Sequence, residues 1–202
     1  MIIMQQSFNI AFLTSGKSRG SNFEAVMTHL QKSEVPIAVK FLIITCADAP
    51  ITKRAERFGV KYLLLENKKT FEQELLSLLD ENHVHLTVLA GFMRKLSEDF
   101  LQNYSGDIIN IHPALLPKFG GKSMFGMRVH EKVFQMKEKF SGASVHYVNE
   151  RYDEGEIIAQ QKIPIGHCKS AEEIARAVLK IEHKLYPEVI ERLALEYLKL
   201  YN

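Results

Sequence analysis

Asn110 and His112 stand two residues apart in the run Asp107-Ile108-Ile109-Asn110-Ile111-His112-Pro113. The β-branched isoleucines after a Gly-Asp start read as a short strand. In a strand, residues two apart share a face, so the amide and the imidazole project side by side while Ile109 and Ile111 face the other way. Pro113 has no N–H for a ladder and ends the pairing. The pair therefore sits at the carboxyl end of a strand, the edge of an open α/β sheet where ligands bind. An Asn amide donates hydrogen bonds without changing charge, and a His titrates near neutrality. Together they can hold a developing oxyanion and manage its proton, as attack on a carbonyl requires. The same two residues also describe a buried histidine with a satisfied hydrogen bond and a turn-capping asparagine, and Asn-x-His alone does not separate the two readings.

A carboxylate would complete such a pair. Asp153, in Asp153-Glu154-Gly155, would favour the imidazolium if it lay near His112, raising its pKa and fixing its tautomer. It could also relay a proton through water; as a lone residue it equally suits an Asx-type turn. A second candidate is the loop Thr14-Ser15-Gly16-Lys17-Ser18-Arg19-Gly20-Ser21-Asn22, which leads from a strand into a helix. Its glycines and the helix N-terminus make a phosphate cradle, with Lys17 and Arg19 adding charge. It is neither a P-loop nor a G-x-G-x-x-G fingerprint, and an ordinary βα turn capped by Ser21 or Asn22 fits as well. In Phe92-Met93-Arg94-Lys95-Leu96, Met93 and Leu96 suit a loop that plugs the core. Lys68 and Lys69 read as solvated surface. The glycines, Met and Phe of Phe119–His130 suggest an adaptable loop that closes over a ligand. His146 reads as a structural histidine or one that supports its neighbours. His112, His130, His146 and Asp153 lack any metal-ligand spacing, so no metal is expected.

The elements that must position these residues alternate from the start. Strands are predicted at Phe8–Thr14, Ile37–Thr45, Val60–Leu65 and Val84–Ala90, with helices at Asn22–Lys32, Ile51–Phe58 and Thr70–Asn82, the last opened by a Thr70/Gln73 capping box. A further helix starts at Ser97, with Glu98 and Asp99 in its first turn. This alternation predicts an α/β fold, an open, mostly parallel Rossmann-like sheet with helices on both faces. After a helix at about Arg128–Glu138, strands at Ser141–Asn149 and Glu156–Ile163 flank the Asp153 turn as an antiparallel addition. A Ser170/Glu173 capping box opens a helix to about Leu179, Pro187 breaks or restarts it, and Val189–Tyr197 continues it.

The bulk properties narrow the function classes. A chain of 202 residues is expected to form a single domain over 1–202 with a sizeable core. The net charge of +2 is too small to argue for nucleic acid, and no signal peptide or membrane span is visible around Met1-Ile2-Ile3-Met4 or later. The two cysteines, Cys46 and Cys168, make no disulfide framework. A cytoplasmic protein acting on small molecules is expected, as a monomer or weak homodimer.

Three blocks in order carry a family resemblance: Leu89-Ala90-Gly91-Phe92-Met93-Arg94-Lys95-Leu96-Ser97, Ile109–Phe119 with its Asn110-Ile111-His112-Pro113-Ala114-Leu115-Leu116-Pro117, and Ser144-Val145-His146-Tyr147-Val148 running on to Asp153–Ile158. From about Asn9 to about Arg192 the chain resembles the folate-dependent formyltransferases, most of all their purine-pathway branch. The resemblance implies formyl transfer from 10-formyltetrahydrofolate, as co-substrate, to the amine of a phosphoribosylated glycinamide, through a tetrahedral intermediate stabilised by Asn110 and protonated His112, with Asp153 raising the His112 pKa. It assigns catalysis to Asn110, His112 and Asp153. It assigns the substrate's phosphate to Gly20, Ser21 and Asn22, and its ribose or amine region to Glu182. The folate falls to Met93, Arg94, Lys95 and Leu96 around the pterin, with Asn110, and to Lys68 near the glutamate tail. The first loop is about two residues longer than the family's usual form, and Lys95 replaces an apolar residue. The resemblance also implies that the N-terminal half forms the phosphate side and the C-terminal half completes the folate site. Other members hydrolyse the folate or formylate another amine, including an initiator tRNA. Those that carry an extra N-terminal or C-terminal domain match less well. A folate- or nucleotide-binding module without catalysis is the alternative of another class, and it has no need of Asn110, His112 and Asp153 together.

Overall fold

Seven strands form one sheet in the order β3-β2-β1-β4-β5-β6-β7 in the computed structural model. It describes residues 7–16, 18–66 and 68–201; Lys17 and the Met1–Met4 segment lie outside the described residues. The chain divides into two compact units, Met1–Ile108 with Ile190–Asn202, and Ile109–Val189.

The first unit holds β1 (Phe8–Leu13), α1 (Ser21–Leu30), β2 (Ile37–Ile44), α2 (Thr52–Arg57), β3 (Tyr62–Leu64), α3 (Phe71–Glu81), β4 (Leu86–Leu89) and α4 (Glu98–Asn103). β1 lies between β2 and β4 and is parallel to both, and β3 is parallel to β2. These central strands are almost wholly buried: Ile10, Phe12, Leu13, Leu42, Ile43 and Val88 are inaccessible to solvent. That is why they read as unbroken apolar runs rather than alternating ones. The helices cover the sheet through one apolar face each, as Leu75 and Leu79 of α3 do.

Helix starts follow backbone geometry as much as side-chain type. α4 is capped as expected, with Ser97 Oγ accepting from Phe100 N at 3.1 Å. At α3 the expected Thr70/Gln73 box does not form. Thr70 stays in a helical conformation and its hydroxyl bonds Glu74 instead. At α1 neither Ser21 nor Asn22 is the cap. Gly20 is, in the left-handed region at φ 74°, with Ser21 and Asn22 already in the helix. A Cβ on Gly20 would come 2.3 Å from Ile51 Cγ1, so this position demands glycine both for its φ and for close packing.

The second unit holds β5 (Asp107–His112, shared at its first residues), α5 (Met127–Gln135), β6 (Phe140–Tyr147), β7 (Ile157–Pro164) and most of α6 (Ala171–Tyr201). β5 and β7 both pair antiparallel with β6. A bulge at Val145/His146 sets His146 opposite Ile157 and leaves Ile158 as the extra residue of β7. α6 is one 31-residue helix with Pro187 inside it, not the two pieces expected. Val178, Glu182, Tyr186, Ile190, Ala194 and Leu198 are all buried at a spacing of four. A Pro inside a helix costs about 3 kcal/mol, and burying several large side chains on each side at about 1.5–3 kcal/mol each outweighs it.

Candidate active site

Strand register assembles the core of the site. Asn110 lies directly opposite His146, and His112 opposite Ser144, across the β5–β6 pairing. With side chains alternating along each strand, these four share one face of the sheet. The carboxyl end of β5 is reached at His112, where Pro113 follows. His112, Ser144 and His146 are buried, and Asn110 is half-buried.

Asp153 reaches this group from the turn after β6. It adopts φ 58°, a left-handed conformation uncommon for a residue with a Cβ, which marks a position held by its surroundings. Its Oδ2 lies 3.4 Å from His112 Nδ1 and accepts from Gly121 N at 2.9 Å. Its Oδ1 lies 3.6 Å from His146 Nε2. On its other side, His112 Nε2 is 2.8 Å from the Phe119 carbonyl oxygen. A carbonyl can only accept, so Nε2 carries a proton and Nδ1 is the atom whose protonation can vary. Asn110, His112 and Asp153 are thus brought together in one unit, and the Phe119–Gly126 loop is tied to them at its start through Phe119 and Gly121.

The charge balance bears out the upward pull of Asp153 on His112 but corrects the expectation of a protonated His112 at rest. Burial is the largest influence on His112 and lowers its pKa below the ordinary 6.5; Asp153 and the Phe119 carbonyl pull upward, His146 pushes down, and the net direction is downward. Asp153 does favour the imidazolium, as expected, but desolvation of a buried ring outweighs it. For Asp153 itself burial pushes upward, yet His146, the charge of His112 and the Gly121 N–H together hold the carboxyl below its ordinary range. His130, buried on α5 with Nδ1 unpaired, is depressed to about 4, first by burial and then by His112.

The segment between His112 and Phe119 is clamped by residues that sequence reasoning missed. Ser144 Oγ donates to the Ala114 carbonyl at 2.6 Å and accepts from Leu116 N at 3.1 Å and Gln160 Nε2 at 2.7 Å. Gln160 Nε2 also donates to the Leu116 carbonyl at 3.1 Å. The signal available was Ser144-x-His146, a second same-face pair on the strand that pairs with Asn110-x-His112. A cavity of about 410 Å³ opens beside this cluster, lined by Pro117, Gly120, Gly121, Tyr152, Asp153 and Glu154. Glu182 is buried in α6.

The remaining candidates lie in the first unit. The loops after β1 and β4, neighbouring parallel strands, are stitched together: Ser15 N donates to the Gly91 carbonyl at 3.3 Å, and Met93 N donates to Ser15 Oγ at 2.7 Å. The loop carrying Gly20, Ser21 and Asn22 therefore sits against the one carrying Met93 to Leu96. Phe92 and Leu96 are buried, with Phe92 stacked on Phe71, whereas Met93 is exposed rather than plugging the core. Arg94 lies over the Phe71 ring at 5.0 Å, and Lys95 and Lys68 are exposed.

Comparison with known proteins agrees with this geometry. The chain is similar to the phosphoribosylglycinamide formyltransferase of Bacillus subtilis (strain 168), 38% identical over 187 residues that span 90% of this chain and 93% of the relative. It is 33% identical to the enzyme of that name from Escherichia coli (strain K12), over 96% of this chain and 91% of the relative. The solved phosphoribosylglycinamide formyltransferase of Brucella melitensis superimposes with a TM-score of 0.82 at 34% identity, covering 94% of this chain and 96% of that one. The model of the formyl transferase family matches residues 8–190, nearly the whole chain. The chain belongs to the formyl transferase family.

Proposed function

We propose that this protein transfers the formyl group of 10-formyltetrahydrofolate to the amine of phosphoribosylglycinamide, a step of purine synthesis. The observation that carries the reading is the Asn110–His112–Asp153 cluster at a strand end, in a chain whose relatives bear that enzyme's name. The amine attacks the formyl carbon and forms the new C–N bond. The Asn110 amide donates to the oxygen as it becomes negative, a stabilisation that grows only as the charge develops. His112, neutral at rest because it is buried, accepts the proton of the attacking nitrogen at Nδ1. Asp153 stabilises the imidazolium so formed, and that proton passes to the folate nitrogen as its bond to the formyl carbon breaks and tetrahydrofolate leaves.

Binding falls to groups around this chemistry. Gly20, Ser21 and Asn22 at the start of α1 offer the substrate phosphate a left-handed turn and the positive end of a helix, with the Gly20 N–H donating to Ser18 Oγ at 3.3 Å. Glu182 meets its ribose or amine region. Met93, Arg94, Lys95 and Leu96 hold the pterin, largely through their backbone, and Lys68 attracts the glutamate tail. Among the described residues no helix is long and apolar enough to cross a membrane, and we place the enzyme in the cytoplasm.

The test is an assay with purified protein and 10-formyltetrahydrofolate, with and without phosphoribosylglycinamide. Tetrahydrofolate released only with the acceptor, together with formylated acceptor, is the expected result. Release without the acceptor would identify a hydrolase, and no release would overturn the reading.

A further inference from the structure

Asn110 has a partner that decides which way its amide points. His146 Nδ1 lies 2.8 Å from the carbonyl oxygen of Tyr147, which can only accept, so Nδ1 carries the proton. In the neutral ring Nε2 is then a bare lone pair. The Asn110 atom that faces it at 3.2 Å must be a donor, the Nδ2 amide nitrogen. Asp153 Oδ1 stands 3.6 Å from the same Nε2, longer than the 3.2 Å to Asn110, so its pull on His146 is electrostatic and Asn110 holds the shorter contact. With one Nδ2 proton given to His146, the orientation of the whole carboxamide follows: its second N–H and its Oδ1 point in defined directions.

The surroundings hold His146 in this role. The ring is buried, so it has no water to turn toward. The bulge between Val145 and His146 rotates the strand at this residue, as bulges beside active sites do. Gly155 passes so close that a Cβ there would lie 1.8 Å from the Tyr147 oxygen, which locks the carbonyl that defines the tautomer. We infer that His146 is a positioning residue, acting through Asn110: its lone pair at Nε2 fixes the Asn110 amide with Nδ2 as the donor, so that the second N–H is presented to the formyl oxygen. The last clause rests on the proposed formyl transfer; the tautomer and the hydrogen bond do not.

Two measurements separate these parts. Ring ¹⁵N NMR of the wild-type protein, assigned with His146→Gln, is expected to show the His146 proton on Nδ1 and Nε2 as the acceptor nitrogen. A ring protonated on Nε2 would overturn the inference whatever the protein catalyses. The second is a double-mutant cycle in the formyl-transfer assay with His146→Leu, which removes the acceptor, and Asn110→Ala, with His146→Gln retaining an acceptor oxygen. His146→Leu is expected to lower kcat by about 10- to 100-fold with KM little changed, His146→Gln by less, and His146→Leu to add almost nothing in the Asn110→Ala background. Losses that multiply in the double variant would mean that His146 does not act through Asn110. If a variant melts early, the tautomer decides. A wild-type protein that releases no tetrahydrofolate refutes the formyl transfer, and with it the presentation to the formyl oxygen; the NMR result still decides the hydrogen bond.

Discussion

At the residue scale, the site depends on a histidine pulled in two directions. Burial lowers the His112 pKa and Asp153 raises it, with burial the stronger. If neutral His112 is the base, activity falls on the acid side as pH drops through a value below 6.5, and the alkaline side is unaffected by this group. Asp153→Asn removes the upward influence while keeping an acceptor oxygen for Gly121 N. We expect its acid limb to move to lower pH and its kcat to drop about 10²-fold or more, with His112→Ala losing activity to a similar degree. Rate profiles of kcat/KM against pH for wild type and Asp153→Asn check this. An acid limb that stays in place would show that Asp153 does not tune His112.

At the scale of the element, β6 does more than join β5 to β7. Ser144 and Gln160, on adjacent strands, hold Ala114 and Leu116, and so the segment leading to the Phe119 carbonyl that fixes the His112 tautomer. Ser144→Ala leaves Leu116 N–H buried without its acceptor. A buried donor left unpaired costs about 1–3 kcal/mol, and denaturant unfolding should register that loss. A smaller loss of kcat should follow, because the His112 ring is less well held. Unchanged stability would mean that the clamp relaxes onto other partners. The same strand carries His146, so one element supports both Asn110 and His112 from behind.

At the scale of the molecule, buried histidines link stability to acidity. His130 is held to about 4 against 6.5 in the unfolded chain. Between those values the unfolded state binds the extra proton, so stability falls as pH drops from about 6.5 toward about 4 and is constant above that window. His112, depressed in the same direction, adds to the slope. His130→Leu is expected to flatten the dependence of Tm on pH between 7 and 5, measured by calorimetry. An unchanged slope would assign the acid sensitivity to other groups. Asp153 contributes in the opposite range: its stabilisation is present above the ordinary carboxylate pKa and is lost only as pH falls through its lower folded value.

Local rules sufficed where a residue's role depends on its immediate neighbours in the chain. Strand–helix alternation gave the parallel sheet, the two-residue period put Asn110 and His112 on one face, and the Ser97 cap formed as read. The family blocks pointed to Asp153, which lies 41 positions after His112 in the chain, a separation that no period describes. Tertiary structure decided everything that depends on burial and on strands meeting. It made α6 continuous through Pro187, because packing on both sides outweighs the missing hydrogen bond. It made Gly20 the helix cap and moved the bond of Thr70 to Glu74. It left Asp153 raising the His112 pKa as expected but turned the net direction downward, because desolvation is a property of what surrounds a ring. Ser144, His146 and Gln160 became parts of the site only when register laid β6 beside β5 and β7 beside β6. Sequence carries the period of each strand, but the register between strands is set by which side chains pack and which polar groups find partners across the sheet.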